Sequence, residues 1–472
     1  MYVHIFPSRL HSVDWCIVAR MTIDMLPDVA LLKIFDFYED EKWIDAWHTL
    51  VHVCRKWRNI VFGSPRRLDL RLYCTARTPV RETLDVWPRL PIAVWGNGHN
   101  VWGMDNIIAA LEHNDRICEL GLFDIPSSQL ESALAAMQQP FPALTRLLLQ
   151  SRDETAPVHP DSFLGGSAPQ LRTLFLDCIP FPGLPTLLLS ATHLVDLDLR
   201  RIPYSGYISP DAMVTSLSVL TGLERLDIGF ETPRRPGQRS RRPPLRTRTH
   251  LPVLIEMRFI GVSEYLEELL ARIDAPLLDK LTITFFNRLV FDTPQLAQFI
   301  IRTPKFKLHD EARVVFSDWD VWITLPQASD GRLHLGITCG QSEWQLSSLA
   351  QVCSSSFPQA LIPAVERLYI LEAGVSRLHW QNDIENSQWL ELLRPFTAAK
   401  DLYISQEFVP RITPTLQELT GESVAEVLPA LQNLFLEGQL PPGPVQQAIA
   451  QFVAARQLAS RPVVVSRWLR GN

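Results

Sequence analysis

The chain has 472 residues and a formal net charge of -6, with 46% apolar and 20% charged residues. A single hydrophobic core rarely serves a chain of this length, so the sequence predicts either several domains or an elongated repeat architecture. The apolar share is typical of a folded soluble protein, and the small negative charge gives no reason to expect a nucleic-acid partner.

The sequence lacks the signals of a membrane protein, an exported protein or a metal protein. No window offers the uninterrupted apolar run of about 18 residues that a spanning helix needs, and the N-terminal residues lack the apolar core of a secretory signal. The seven cysteines are scattered without a Cys-x-x-Cys pair, so we expect no disulfide framework, no zinc site and no cofactor. We expect a cytoplasmic or nuclear protein.

Two amphipathic runs dominate the segment 25–65. The first is predicted to begin a helix at Leu26-Pro27-Asp28, because proline suits the first helical turn and an early carboxylate suits the positive end of the helix dipole. The second has apolar residues at alternating gaps of four and three, which predicts one continuous helical stripe, at Trp43, Trp47, Leu50, Cys54, Trp57 and Val61. Gly63 is expected to end it as a left-handed cap, with Pro65 just beyond.

This segment resembles the F-box, a helical module that docks substrate receptors onto the Skp-family adaptor of cullin-based ubiquitin ligases. The matching residues are Leu26-Pro27, Leu32, Ile34-Phe35, Val53-Cys54-Arg55 and Trp57-Arg58. The insert that carries Trp47-His48 is similar to F-box proteins abundant in mushroom-forming fungi. The resemblance implies adaptor contacts by Leu26, Pro27, Leu32, Ile34, Phe35, Val53, Cys54 and Trp57. Some of these must instead hold the helices together, and the helices could also simply cap the domain behind them.

A leucine pattern recurs from Ile117 onwards. Two apolar residues three apart are followed by a third two residues later, and successive units start 23 to 31 residues apart over the first six units, which begin at Ile117, Leu144, Leu171, Leu194, Leu223 and Leu254. Further units begin at Leu278, Val365, Ala399 and Leu431. The pattern is that of leucine-rich repeats, whose strands stack in parallel and bury their leucines. The helical or irregular returns are long enough to connect parallel strands, and we predict helices in them at 128–137, 211–220 and 264–273.

Two stretches interrupt the repeats. Residues 232–250 are rich in arginine and proline with almost no apolar residue, so we predict a loop that leaves the solenoid, either without function or as a basic binding or import signal. Between Phe306 and Cys339, the runs Ala312–Phe316 and Leu333–Ile337 are too close for a helical crossover, which favours a local antiparallel pair. A helix from Pro444 and a strand at Pro462–Val465 are predicted to cover the open end of the solenoid.

The predicted fold class is therefore α/β: an N-terminal helical F-box followed by an irregular leucine-rich-repeat solenoid. The predicted domains are an N-terminal extension at 1–24, the F-box at 25–65, a linker with the first strands at 66–116, the solenoid at 117–440 and a C-terminal helix and strand cap at 441–472.

The sequence offers binding residues rather than catalytic ones. Gly96-Asn-Gly98 lacks the third glycine of a dinucleotide loop and is interpreted as a turn, so we expect no active site and no enzyme. Side chains between the buried leucines line the open face of the strands. The candidates for substrate binding there are the aromatics Tyr369, Tyr403 and Phe435 and the carboxylates Asp198 and Asp227.

Two functions of different classes fit this sequence. The first is a substrate receptor that binds the Skp-family adaptor, and through it a cullin, and holds an unknown client protein on the repeat face. The second is a repeat scaffold for protein–protein interaction that has no ligase partner. Asp198 and Asp227 would favour a basic segment of the client, and a chain tail or loop is an alternative cover for the three aromatics.

Overall fold

The computed structural model is a solenoid built on one long sheet. It describes the chain in fifteen stretches, namely residues 26–39, 50–63, 70–97, 103–153, 162–232, 248–286, 293–306, 309–317, 320–326, 331–338, 342–357, 361–373, 385–419, 426–438 and 443–469. No helix within these stretches is long and apolar enough to cross a membrane.

The described residues of the N-terminal segment include the helices α1 (Asp28–Glu39) and α2 (Arg55–Phe62), and residues 50–51 are also helical. The prediction of one continuous second helix is wrong, because the backbone of Cys54 is extended (φ -157°, ψ 171°) and Cys54 caps the N-terminus of α2. Its Sγ accepts a hydrogen bond from the backbone N–H of Trp57 at 3.4 Å, a local bond that competes with helix continuation. The part of the stripe at Trp43 and Trp47 lies outside the described residues.

Helix α2 ends at Gly63, as predicted, but by a different conformation. Gly63 has φ -78° and ψ -7°, so it is right-handed and not the left-handed cap expected from the sequence. A Cβ at this position would lie 2.9 Å from the carbonyl oxygen of Asn59. Close approach to the last helical turn therefore explains the glycine. Pro65 lies outside the described residues.

Sixteen strands form the main sheet in the order β1-β2-β3-β4-β5-β6-β7-β9-β11-β14-β13-β12-β15-β16-β17-β18. Its strands are β1 (Arg71–Cys74), β2 (Ile92–Asn97), β3 (Ile117–Ile125), β4 (Arg146–Ser151), β5 (Thr173–Asp177), β6 (Asp196–Ile202), β7 (Arg225–Phe230), β9 (Glu256–Gly261), β11 (Lys280–Phe286), β12 (Glu311–Phe316), β13 (Asp320–Pro326), β14 (Arg332–Thr338), β15 (Arg367–Glu372), β16 (Asp401–Ile404), β17 (Asn433–Glu437) and β18 (Val464–Trp468). Neighbours are parallel except where β13 pairs with β12 and β14.

Helices return the chain between the strands. They are α3 (Val80–Val86), α4 (Met104–Leu111), α5 (Ser127–Ala136), α6 (Leu184–Ser190), α7 (Pro210–Leu217), α8 (Ser263–Leu270), α9 (Pro294–Arg302), α10 (Ser342–Gln351), α11 (Asn386–Leu393), α12 (Val409–Glu418) and α13 (Pro444–Leu458). The three predicted helices in the returns, at 128–137, 211–220 and 264–273, correspond to α5, α7 and α8.

The leucine pattern predicted the core correctly. The three apolar residues that define each of the ten repeat units are at most 3% exposed. The apolar residues of neighbouring units pair in register, as Leu174 does with Leu147 and Leu197. Successive side chains of a strand point to opposite faces, so each strand buries its leucines on one side and leaves the alternate residues on the other. The architecture is a leucine-rich-repeat-like solenoid with a mixed α/β composition.

The interruption before Cys339 is antiparallel, but it contains three strands. β12 and β14 do not pair with each other, because β13 lies between them and is antiparallel to both. The missed strand β13 alternates buried Val321, Ile323 and Leu325 with half-buried residues. This strand has the two-residue period but lacks the three-residue leucine spacing that marks the repeats.

The structure also bears on the predictions for Gly96, for the basic segment and for the C-terminal end. Gly96 lies inside β2 and not in a turn, and a Cβ there would lie 2.7 Å from Ile107 Cδ1. Most of the basic segment, 233–247, is outside the described residues; its end, Thr249–His250 (β8), pairs with Ile273–Asp274 (β10) in a separate two-stranded sheet. A helix begins at Pro444, as predicted, and a strand forms near the predicted position, as β18 at Val464–Trp468. This strand extends the sheet beyond β17 and leaves its own outer edge without a partner strand among the described residues.

Candidate protein-binding surfaces

The structure divides the eight proposed adaptor contacts by burial. Phe35 and Trp57 are 3% and 7% exposed, and their ring centroids lie 4.8 Å apart. These two side chains pack between the helices, so we reassign them from docking to internal packing. Leu26, Leu32 and Cys54 are half-buried, whereas Pro27, Ile34 and Val53 are exposed.

The N-terminal segment carries exposed apolar side chains, on α1 and in the turn before α2, and also a groove. Val29 is 69% exposed, Ile34 40% and Val53 52%. An open groove of ≈ 570 Å³ lies between α1 and α2 and is lined by Asp28, Leu32, Arg55, Lys56, Asn59, Ile60 and Gly63. Lys56 joins the two helices, because its Nζ donates to the carbonyl oxygen of Leu26 at 2.8 Å and lies 3.7 Å from Asp28.

One residue from each strand of the sheet forms a continuous row across the open face, which we call the middle row. In spatial order its sixteen members are Tyr73, Trp95, Gly121, Leu148, Phe175, Asp198, Asp227, Arg258, Thr282, His334, Thr324, Arg313, Tyr369, Tyr403, Phe435 and Ser466. The row is aromatic and apolar at both ends and charged in the centre. All five predicted substrate-binding residues lie in it.

The three predicted aromatics form a stack. The ring centroids of Tyr369 and Tyr403 are 4.2 Å apart and those of Tyr403 and Phe435 are 4.4 Å apart, with interplanar angles of 9° and 8°. Trp468 of β18 packs at steep angles against both tyrosines, with centroid distances of 6.1 and 5.6 Å. The predicted alternative of a covering chain tail is thus met in part, by one side chain of the last strand.

A second aromatic patch lies at the opposite end of the middle row, and the sequence analysis missed it. Trp95 lies over Gly121, where a Cβ would be 2.4 Å from the indole ring, and stacks with Phe123 at 5.9 Å. Tyr73 and Phe175 lie in the same row. The signal available in the sequence was Gly121 inside a leucine repeat, since glycine in a strand often marks the close approach of a neighbouring group.

The centre of the row is charged but internally paired. Asp198 accepts two hydrogen bonds from Arg200, at 2.9 and 2.8 Å. Asp227 lies in register with Asp198 and is 3.6 Å from Arg200 Nε and 3.8 Å from Arg258 Nη1. These arginines already neutralise much of the negative charge that was expected to attract a basic partner.

Asp227 has an unusual electrostatic environment. Burial, and secondly the neighbouring Asp198 carboxylate, raise its pKa from 3.8 to about 7. Its Oδ1 is buried without a hydrogen-bond partner. On the same row, burial lowers the pKa of His334 to about 4, with Arg332 and Arg258 contributing. Both shifts favour the neutral form, for different reasons. At Asp227 the attraction of the arginines is smaller than the combined effect of burial and Asp198, whereas at His334 burial and repulsion by the arginines act in the same direction.

Within the described residues, no group of three or more His, Cys, Asp or Glu side chains is arranged to hold a metal ion. The same residues form two aromatic patches, a centre of paired charges and the groove between α1 and α2.

Comparisons with known proteins add little to this picture. No family model matches the chain, and no curated protein matches it. Among solved structures, the chain is similar to the leucine-rich repeat-containing protein LegL7 from Legionella pneumophila, at 12% sequence identity and a TM-score of 0.28, covering 84% of this chain and 99% of that chain. The solenoid fold is evident from the strand register and the burial within this chain itself.

Proposed function

We propose that this protein is a substrate-recognition subunit of a cullin-based ubiquitin ligase. Its N-terminal helices dock on the Skp-family adaptor, and its open sheet face presents a client protein. The chain positions the client and performs no bond chemistry itself, and it acts in the cytoplasm or nucleus. The F-box resemblance at 25–65 supplies the class of partner, and the two aromatic patches supply surface for the client.

The observation that carries the proposal is the apolar surface that remains uncovered on the N-terminal helices. Ile34 and Val53 belong to the F-box pattern and are 40% and 52% exposed, and the adjacent Val29 is 69% exposed. A helix that only capped the solenoid would turn such residues inward. The burial of Phe35 and Trp57 holds the helices together, which leaves the exposed residues available to another protein.

The test is co-purification with the adaptor. We expect the double variant Ile34→Asp with Val53→Asp to lose adaptor recovery by about tenfold or more, because two charges would then have to be desolvated in an apolar interface. The matched control is Val86→Asp with Leu189→Asp, two side chains that are 79% and 44% exposed on α3 and α6. Circular dichroism checks that both variants fold. Full recovery of the adaptor by the folded Ile34/Val53 variant contradicts the proposal.

A second candidate function is a repeat scaffold without a ligase partner. The observation in its favour is that Leu31, Phe35 and Trp57 belong to the same buried cluster as Leu70 and Leu72 at the start of the sheet. A solenoid needs its first strand covered, and in this candidate function covering it is the role of the N-terminal helices. Affinity purification distinguishes the candidates: reproducible partners without adaptor or cullin favour the scaffold.

A further inference from the structure

The first and last strands of the sheet differ in how well their core-facing side chains are buried. At the N-terminal end, the inward-facing residues of β1 and the residue before it, Leu70, Leu72 and Cys74, are at most 3% exposed. At the C-terminal end, the equivalent residues are Val463, just before β18, and Val465 and Arg467 within it, which pair in register with the buried Leu434 and Leu436. Val463 is 5% exposed, Val465 is half-buried and Arg467 is exposed. The exposure of the core-facing positions therefore rises along the last strand, whereas the first strand keeps all of them buried.

The outer edge of β18 also presents unused backbone groups. The N–H of Val464 donates to the carbonyl oxygen of Gln432 at 2.8 Å, which directs the peptide groups of Val464, Ser466 and Trp468 toward β17. Because alternate residues of a strand point their backbone groups to opposite sides, those of Val465 and Arg467 point outward. No strand among the described residues pairs with this edge. Such an edge is a template for another strand.

The side chains at this edge indicate which strand would fit. Val464 is 60% exposed and Leu469 is 74% exposed, so apolar surface flanks the edge. Arg467 forms no ion pair within the described part of the chain, although most arginines of the open face do. A complementary strand therefore carries apolar residues that cover Val465 and an acidic residue opposite Arg467.

The small size of the edge favours a flexible segment over a second copy of this chain. β18 has five residues. A stable dimer commonly buries about 800 Å² on each partner, far more than five strand residues supply. An extended segment gains main-chain hydrogen bonds along its whole length and pockets for alternate side chains.

We propose that the outer edge of β18 binds an extended, acidic segment of the client protein as an additional strand of the sheet. That the bound segment belongs to a client protein rests on the function proposed above; the strand-binding edge itself does not. The binding site lies at the end of the molecule opposite the N-terminal helices, so adaptor binding and strand binding can be measured independently.

The probe is a synthetic peptide that copies strand β17 and its flanks, residues 430–439, with Leu436→Glu. Stacked in the same register on β18, its Leu434 covers Val465 and its glutamate meets Arg467. A second peptide with Leu436→Lys, which reverses the charge at this position, is the comparison. Titration calorimetry with the full chain is expected to show about tenfold tighter binding of the acidic peptide than of the lysine peptide.

Two variants of the full chain test the edge itself. Arg467→Pro removes an outward N–H and leaves the hydrogen bonds to β17 intact. It is expected to lower the affinity for the acidic peptide by about tenfold or more. Arg467→Glu is expected to reverse the preference between the two peptides, and it keeps the test decisive if proline loosens β18. Arg71→Gln, on β1 at the opposite end, is the control and is expected to leave binding unchanged.

Three results would overturn the proposal. One is no binding of either peptide at millimolar concentration, and another is equal binding by wild type and by both Arg467 variants. The third is a concentration-dependent dimer of the full chain that Arg467→Pro abolishes and the peptide does not compete with, which would assign the edge to a second copy. If the adaptor still co-purifies in any of these cases, the ligase function stands without this site.

Discussion

The variant Asp227→Asn is expected to unfold at a higher denaturant concentration than wild type at pH 8 and at nearly the same concentration at pH 4. The pKa of Asp227 is raised to about 7, mainly by burial. A raised folded-state pKa gives stability that is fully present below the unfolded pKa near 3.8 and is lost as pH rises through 7. Asparagine imitates the neutral carboxyl group, so it removes a penalty that exists only when Asp227 is ionised.

The size of the effect follows from the pKa shift. Each pKa unit corresponds to about 1.4 kcal/mol, so the shift from 3.8 to about 7 sets an upper limit of about 4 kcal/mol at pH 8. The side chain is 14% exposed, and water reaching it reduces the effect, so we expect about 2 kcal/mol. Chemical denaturation of wild type and variant at pH 4, 6 and 8 measures it.

A neighbouring carboxylate provides the control. Asp196 lies on the same face, 2.7 Å from Arg225 Nη2, and is 21% exposed. Asp196→Asn is expected to destabilise the protein by less than about 1 kcal/mol, because it breaks a surface ion pair. If Asp227→Asn behaves like Asp196→Asn at pH 8, then Asp227 is an ordinary ion-pair partner of Arg200 and Arg258.

The solenoid was predictable because its signal is local and repeated. Leu197 and Leu226 lie in different units, yet each unit specifies the same strand and the same buried face, and stacking then follows from the parallel crossovers. The aromatic stack was predictable for the same reason: Tyr369, Tyr403 and Phe435 occupy one position of three successive units.

Features that depend on geometry between units could not be read from the sequence. Trp468 reaches Tyr369 across two intervening strands, and its position depends on how far β18 extends beyond the predicted Pro462–Val465. Strand β13 has no leucine unit and is fixed only by its neighbours. The division of the F-box residues into buried Phe35 and exposed Ile34 depends on the angle between two short helices, which a helical period alone does not determine.

The variant Arg456→Ala is expected to detach the C-terminal cap from the solenoid. Arg456 of α13 is 1% exposed, and its guanidinium donates to the carbonyl oxygens of Leu428 at 3.4 Å and Leu431 at 2.9 Å. Truncation removes the arginine donor from the carbonyl oxygen of Leu431, whereas that of Leu428 still accepts from the N–H of Leu431 at 3.1 Å. The lost hydrogen bond costs about 1–3 kcal/mol and the cavity left by the large side chain adds to it, so we expect a total loss of about 2–5 kcal/mol.

The loss should be local, because each unit of a solenoid contacts only its neighbours. Hydrogen exchange measured by mass spectrometry is expected to show faster exchange in α13 and β18 and unchanged exchange in β3 to β7. Gln446→Ala, an exposed position on the same helix, is the control and should change stability by less than about 0.5 kcal/mol.

A third variant separates packing from hydrogen bonding. Arg456→Met keeps most of the buried volume but donates no hydrogen bond, so it is expected to lose less stability than Arg456→Ala while still weakening the protection of β18. Equal protection of β18 in wild type and both variants would mean that Val445, Ala448, Ile449 and Phe452 hold α13 in place without the arginine. In that case the strand edge proposed to bind the client is supported by apolar packing alone.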